Sequence, residues 1–133
     1  MEETSLSGVS AIIEKRHKGY NEEELIINCK NVPYEICLND ELIFETLTQA
    51  AHIMGMKIRA SASYRCGDVT PPGAICMVMV DQSFVYCHSF ADIGRMTLRV
   101  FTCGESDPMK GWEFIKKQLR IKDFTIRREV MKY

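Results

Sequence analysis

No apolar run in this 133-residue chain approaches the roughly 20 residues needed to cross a bilayer. The longest, Ala74 to Val80, has the length of a strand. A membrane partner is therefore not expected. The start, Met1-Glu2-Glu3-Thr4, lacks the basic flank and apolar stretch of a secretory signal, so a cytoplasmic protein is expected. The formal net charge is only −1, and the basic residues form no long stripe, which gives no reason to expect nucleic acid as a partner. No CxxC pair occurs among the six cysteines, which argues against a structural zinc site, and no metal is expected. Three of the six (Cys29, Cys76, Cys87) lie inside apolar runs, so buried free thiols are a better reading than disulfides.

What the chain does contain is an ordinary globular composition, 46% hydrophobic and 26% charged, of a size that builds one domain. Residues 1–22 differ from the rest, with weak helical periodicity from Ser5 to Lys15 and then a polar stretch. They are expected to be a weakly structured N-terminal extension to a domain spanning 23–133. Within that domain, Glu24 to Lys30 predicts a strand. Asn39 predicts a helix N-cap with Asp40 and Glu41 in the first turn; Leu42, Ile43, Leu47, Ala50, Ala51 and Met54 follow at helical spacing, and Gly55 stops the helix. Met56–Tyr64, Ala74–Val80, Phe84–Phe90 and Met96–Cys103 predict four more strands. Asp107-Pro108 opens a second helix running to about Leu119, and Phe124–Val130 ends the pattern as a strand. The order β-α-β-β-β-β-α-β predicts an α+β two-layer sandwich: one largely antiparallel sheet with two helices on one face.

Asp81-Gln82-Ser83 interrupts two of these strands, and Ala91-Asp92-Ile93-Gly94-Arg95 interrupts the next two. If Phe90 and Met96 close the second turn, Ser83 falls directly opposite Cys103, a hydroxyl facing a thiol at a hairpin mouth. A slip of one residue would put them on opposite faces. His88 lies five positions from Ser83, which in an unbroken strand points it to the other face.

Ser83-Phe84-Val85-Tyr86-Cys87-His88, with Asp92, Gly94 and Phe101-Thr102-Cys103-Gly104, resembles the core of the prokaryotic S-adenosylmethionine decarboxylase family. That family reads Ser-His-x-x-x-His-Thr-x-Pro-Glu followed by Thr-Cys-Gly, and its Asp-Pro-Trp-Lys helix start is similar to Asp107-Pro108-Met109-Lys110. The spacing Ser–x4–His–x14–Cys is kept without a gap, and the similarity runs from about Glu24 to Val130. The resemblance implies a self-processing, pyruvoyl-dependent decarboxylase of polyamine biosynthesis. Its chain is cut between Gln82 and Ser83, and Ser83 becomes the pyruvoyl cofactor, which takes a substrate amine as a Schiff base. It also implies Cys103 as the acid that reprotonates substrate, His88 as a proton carrier in processing, and Asp92 with Phe90 as substrate-binding residues. The implied substrate is a small amino-acid-type molecule, S-adenosylmethionine first, and the implied assembly is a homodimer of processed chains.

The sequence departs from the family pattern at informative places. A serine that assists processing is replaced by Ile75, which cannot carry a proton. The histidine after the cleaving serine is Phe84, and the adenine-stacking aromatic aligns with Val69, or else with Tyr64. These changes keep open a related ornithine or arginine decarboxylase, and a non-processing regulatory or binding relative. Read without the family, Ser83 is a turn serine, Cys103 a buried thiol, His88 a core histidine and Asp92 a hairpin acid. Tyr86, Cys87 and Phe101 read as core. Arg95 and Arg99 share a face that is either solvated or set against a carboxylate.

Overall fold

A computed structural model describes residues 21–132. They form one antiparallel sheet of six strands: β1 (Asn21–Lys30), β2 (Ile58–Cys66), β3 (Gly73–Val80), β4 (Ser83–Phe90), β5 (Arg95–Cys103) and β6 (Asp123–Lys132). Their spatial order is β2-β3-β4-β5-β1-β6. Three helices accompany them, α1 (Tyr34–Cys37), α2 (Asp40–Ile53) and α3 (Pro108–Gln118). The α+β sandwich expected from the sequence is what forms, with α1 as a short addition. No described helix is long and apolar enough to cross a membrane. The stretch with weak helical periodicity, Ser5 to Lys15, lies outside the described residues. β1 starts at Asn21, so the last two residues assigned to the extension belong to the sheet.

The helices begin where local chemistry starts them. Asn39 accepts a hydrogen bond from the Leu42 amide at 3.0 Å, and Asp107 accepts one from the Met109 amide at 3.0 Å, with Pro108 at the first helical position. Each side chain satisfies an amide that the first helical turn leaves without a partner. The apolar faces of α2 and α3 then cover one face of the sheet. There Ile43, Leu47 and Ala50 from α2 and Trp112 and Ile115 from α3 meet Leu25, Ile27, Val78, Val85, Leu98 and Val100, all essentially buried. Strict alternation of buried and half-buried residues along β4 and β5 shows why these strands settle in one register: a shift by one would expose the whole apolar set.

That register differs by one residue from the expected one. Phe90 pairs with Arg95, not Met96, so Ala91–Gly94 is a four-residue turn, with Gly94 in the left-handed region at φ 62°. All pairs shift accordingly, Phe84 to Phe101 and His88 to Thr97. Turn length set the parity, and the alternating pattern alone did not reveal it.

One buried polar group ties the layers together. The Ser89 hydroxyl donates to the Cys37 carbonyl at 2.5 Å and accepts from the Ala74 amide at 3.0 Å, in a spot that is 1% exposed. Ser89→Ala leaves both backbone groups without that partner, and the expected loss is about 1–3 kcal/mol, read from the urea midpoint. Gly73 nearby is required by space: a Cβ there would sit 1.9 Å from the Ser89 carbonyl oxygen.

All six cysteines are free, with Cys29, Cys37, Cys76 and Cys87 buried. Burial pushes the thiols of Cys29 and Cys76 up to about 12 and that of Cys37 to about 11, so they stay neutral in the core.

Candidate active site

The β3–β4 hairpin turns through only two residues, Asp81 and Gln82, between the closing pair Val80 and Ser83. Gln82 takes φ 63°, a left-handed backbone that costs a residue with a Cβ about 1–2 kcal/mol. Arg59 of β2 grips Asp81 through two hydrogen bonds, of 2.5 and 3.0 Å, and holds this exposed carboxylate below its ordinary range. Ser83 is the first residue of β4 and only 7% exposed, on the helix side with Val85 and Cys87. Its hydroxyl oxygen accepts a 3.1 Å hydrogen bond from the Cys103 amide. Among the described residues, no carboxylate or imidazole is hydrogen-bonded to that hydroxyl.

The expectation that Ser83 directly opposes Cys103 is therefore corrected. The one-residue shift of register puts the Cys103 side chain on the open face, alternating with buried Thr102. The two residues remain neighbours through backbone and hydroxyl, with thiol and hydroxyl on opposite sides of the sheet. Directly across from Cys103 on β1 stands Glu22, with Sγ and Oε2 3.9 Å apart. Burial raises the Cys103 thiol above its ordinary range, and the Glu22 carboxylate raises it further. Beside them is a cleft of about 210 Å³ lined by Glu22, Glu24, Phe101, Glu129, Val130 and Met131. A larger cleft of about 720 Å³, lined by Lys116, Lys117 and Arg120, lies elsewhere and holds none of the candidate residues.

His88 is on the open face too, but at the other end of β4. Five residues of strand separate it from Ser83 by roughly 16 Å. Its ring packs on Phe90, with centroids 4.4 Å apart. Ile75 is directly across on β3, and exposed Tyr64 is directly across from Ile75 on β2. Asp92, exposed at the tip of the β4–β5 turn, completes this end. The candidate residues thus form two groups within the chain: Gln82, Ser83 and Cys103 at one end of the hairpin, and His88, Phe90 and Asp92 at the other.

Between the two groups, the open face is apolar and aromatic. Phe84 and Phe101 stack at 5.2 Å, and Tyr86, Met77 and Met79 continue the surface. Cys87 is core as expected, while Tyr86 and Phe101 belong to this face instead. Arg99 meets a carboxylate, Glu24, at 2.8 Å. Glu22 had no signal in the sequence, because its importance comes from pairing with a strand some 80 positions away.

The sequence model of S-adenosylmethionine decarboxylase matches residues 23–130. The chain belongs to the S-adenosylmethionine decarboxylase family. Among its relatives, the S-adenosylmethionine decarboxylase proenzyme of Thermotoga petrophila is 34% identical over 89 residues. That match takes in 66% of this chain and 66% of the relative, just under two thirds of its length. The arginine decarboxylase proenzyme of Pyrobaculum arsenaticum is 33% identical over 94 residues, 69% of this chain and 71% of that one. The crystal structure of the adenosylmethionine decarboxylase from Aquifex aeolicus superposes with a TM-score of 0.69 at 24% identity, over 86% of this chain and 91% of that one. The sheet and helices described above are therefore those of the S-adenosylmethionine decarboxylase fold.

Proposed function

We propose that this member of the S-adenosylmethionine decarboxylase family is a self-processing, pyruvoyl-dependent decarboxylase of polyamine biosynthesis, acting on S-adenosylmethionine. The observation that carries the reading is the Gln82–Ser83 peptide. Its carbonyl belongs to a residue held in a left-handed turn, and its serine hydroxyl is pinned by the Cys103 amide. In processing, the Ser83 oxygen attacks the Gln82 carbonyl and the peptide becomes an ester. β-Elimination then cuts the chain and leaves dehydroalanine at the new terminus, whose imine tautomer takes up water and loses ammonia to give the ketone. Relief of the Gln82 backbone favours this cut. The pyruvoyl group derived from Ser83 supplies an electron sink for loss of carbon dioxide. Cys103, on the open face beside that terminus, is the acid that returns a proton to the substrate carbon. Phe90 and Asp92 contact the substrate, and Tyr64 offers an exposed ring on which a purine can stack.

Among the described residues no base is bonded to the Ser83 hydroxyl, and His88 is at the far end of β4 on the opposite, open face. A homodimer joins them. A two-fold axis running across the strands sets β4 over its counterpart in the reverse direction, so that His88 of the partner subunit lies over the Cys103 end, beside the turn that carries the Gln82–Ser83 peptide. The open aromatic face supplies the apolar surface for such a contact.

The carboxylates Glu22, Glu24 and Glu129 in the cleft beside Cys103 favour a second reading, a substrate with a cationic side chain such as arginine or ornithine. One experiment tests both readings. Intact mass shows fragments of 82 and 51 residues if the chain processes. Release of carbon dioxide from S-adenosylmethionine, ornithine and arginine then ranks the substrates. An intact 133-residue chain that releases carbon dioxide from none of them sinks the proposal and leaves a non-processing binding protein, consistent with Ile75 beside His88.

A further inference from the structure

Cys103 and Glu22 are direct cross-strand partners on the open face, Sγ to Oε2 3.9 Å. The ladder continues past them through the Gly104 amide, which donates to the Asn21 carbonyl at 2.9 Å, so the pair is held by backbone on both sides. Charged groups near Cys103 come from two strands. On β1, Glu24 lies two residues beyond Glu22 and is neutralised by Arg99; on β6, Glu129 pairs with Arg127 at 3.5 Å. β4 contributes only the Ser83 hydroxyl, which accepts from the Cys103 amide. Among the described residues, Glu22 is left as the carboxylate that acts on the thiol.

We propose that Glu22 is a positioning residue for Cys103, holding the thiol protonated and oriented on the open face so that it serves as the acid of the decarboxylation. The inference rests on the function proposed above. In that step the Cys103 S–H bond breaks, and the electron pair left on the substrate carbon by departing carbon dioxide forms the new C–H bond. Sulfur keeps its own pair until water returns a proton, and nothing is oxidised or reduced. A carboxylate beside the sulfur disfavours the thiolate, both by charge repulsion and by accepting the S–H hydrogen bond. This keeps the acid loaded between turnovers at mildly alkaline pH.

The test is the pH dependence of Cys103 alkylation by iodoacetamide, followed peptide by peptide, because only the thiolate reacts. In Glu22→Gln the curve moves to lower pH and Cys103 alkylates faster at a fixed mildly alkaline pH. Glu23→Gln removes the same charge one residue away on the opposite face, where Glu23 pairs with Arg128, and leaves the curve in place. Glu22→Asp, which keeps the charge but draws it back by a methylene, moves the curve in the same direction by less and serves if the glutamine variant folds poorly. In active protein, the alkaline limb of kcat moves with the alkylation curve. A Glu22→Gln curve that superposes on the wild type, or a Glu23→Gln curve that moves equally, overturns the proposal. The alkylation readout needs no activity. A shifted curve in a chain that neither cleaves nor decarboxylates would instead overturn the function on which the inference rests.

Discussion

Mixing a His88→Ala chain with a Ser83→Ala chain produces cleavage that neither variant shows alone. The expectation follows from the separation of the two residues. They stand five apart on one continuous strand, so their side chains emerge from opposite faces some 16 Å apart, and no bulge in β4 brings them together. If His88 of the partner subunit carries the Ser83 proton, the Ser83→Ala chain supplies the imidazole and the His88→Ala chain supplies the serine. Refolding the two in equal amounts pairs about half of the His88→Ala chains with a competent partner, on random association into dimers. About half of that variant should then appear as 82- and 51-residue fragments, while the Ser83→Ala chain stays at full length. Intact mass separates every species. No cleavage in the mixture, with the wild type processing normally, would eliminate the shared site.

Cys103→Ala is expected to separate the two chemistries. The proposed processing uses the Ser83 oxygen and the Gln82 carbonyl, and Cys103 meets the Ser83 hydroxyl through a backbone amide that the substitution keeps. Fragments should therefore form at close to the wild-type extent. Turnover should fall by about 10²–10⁴, the usual contribution of a positioned acid, while KM changes little. Quenched-flow measurement of carbon dioxide release against single-turnover product formation checks this directly. A variant that turns over normally would return Cys103 to the role of a half-buried structural thiol.

Much of the fold was legible because its signals are local. Asn39 and Asp107 start helices by bonding amides two or three residues along, and the alternation in β4 and β5 marks their buried faces. The short α1 helix was not legible, since four residues carry too little periodicity to be seen. The parity of the β4–β5 pairing was also hidden. It depends on whether the turn holds four residues or five, and a single glycine at position 94 is compatible with both until the strands pack.

The sequence by itself determined the strands and the two longer helices, the α+β architecture and the spacing of serine, histidine and cysteine, because propensity, capping and family resemblance all act along the chain. Only the tertiary structure decided which faces those residues share. It placed the Ser83 and Cys103 side chains on opposite sides of the sheet, moved His88 to the far end, and set Glu22 beside the thiol through a strand pairing that spans most of the domain. Register and strand order arise from burying one apolar face across distant segments. That is a property of the packed sheet, and no local stretch of residues carries it.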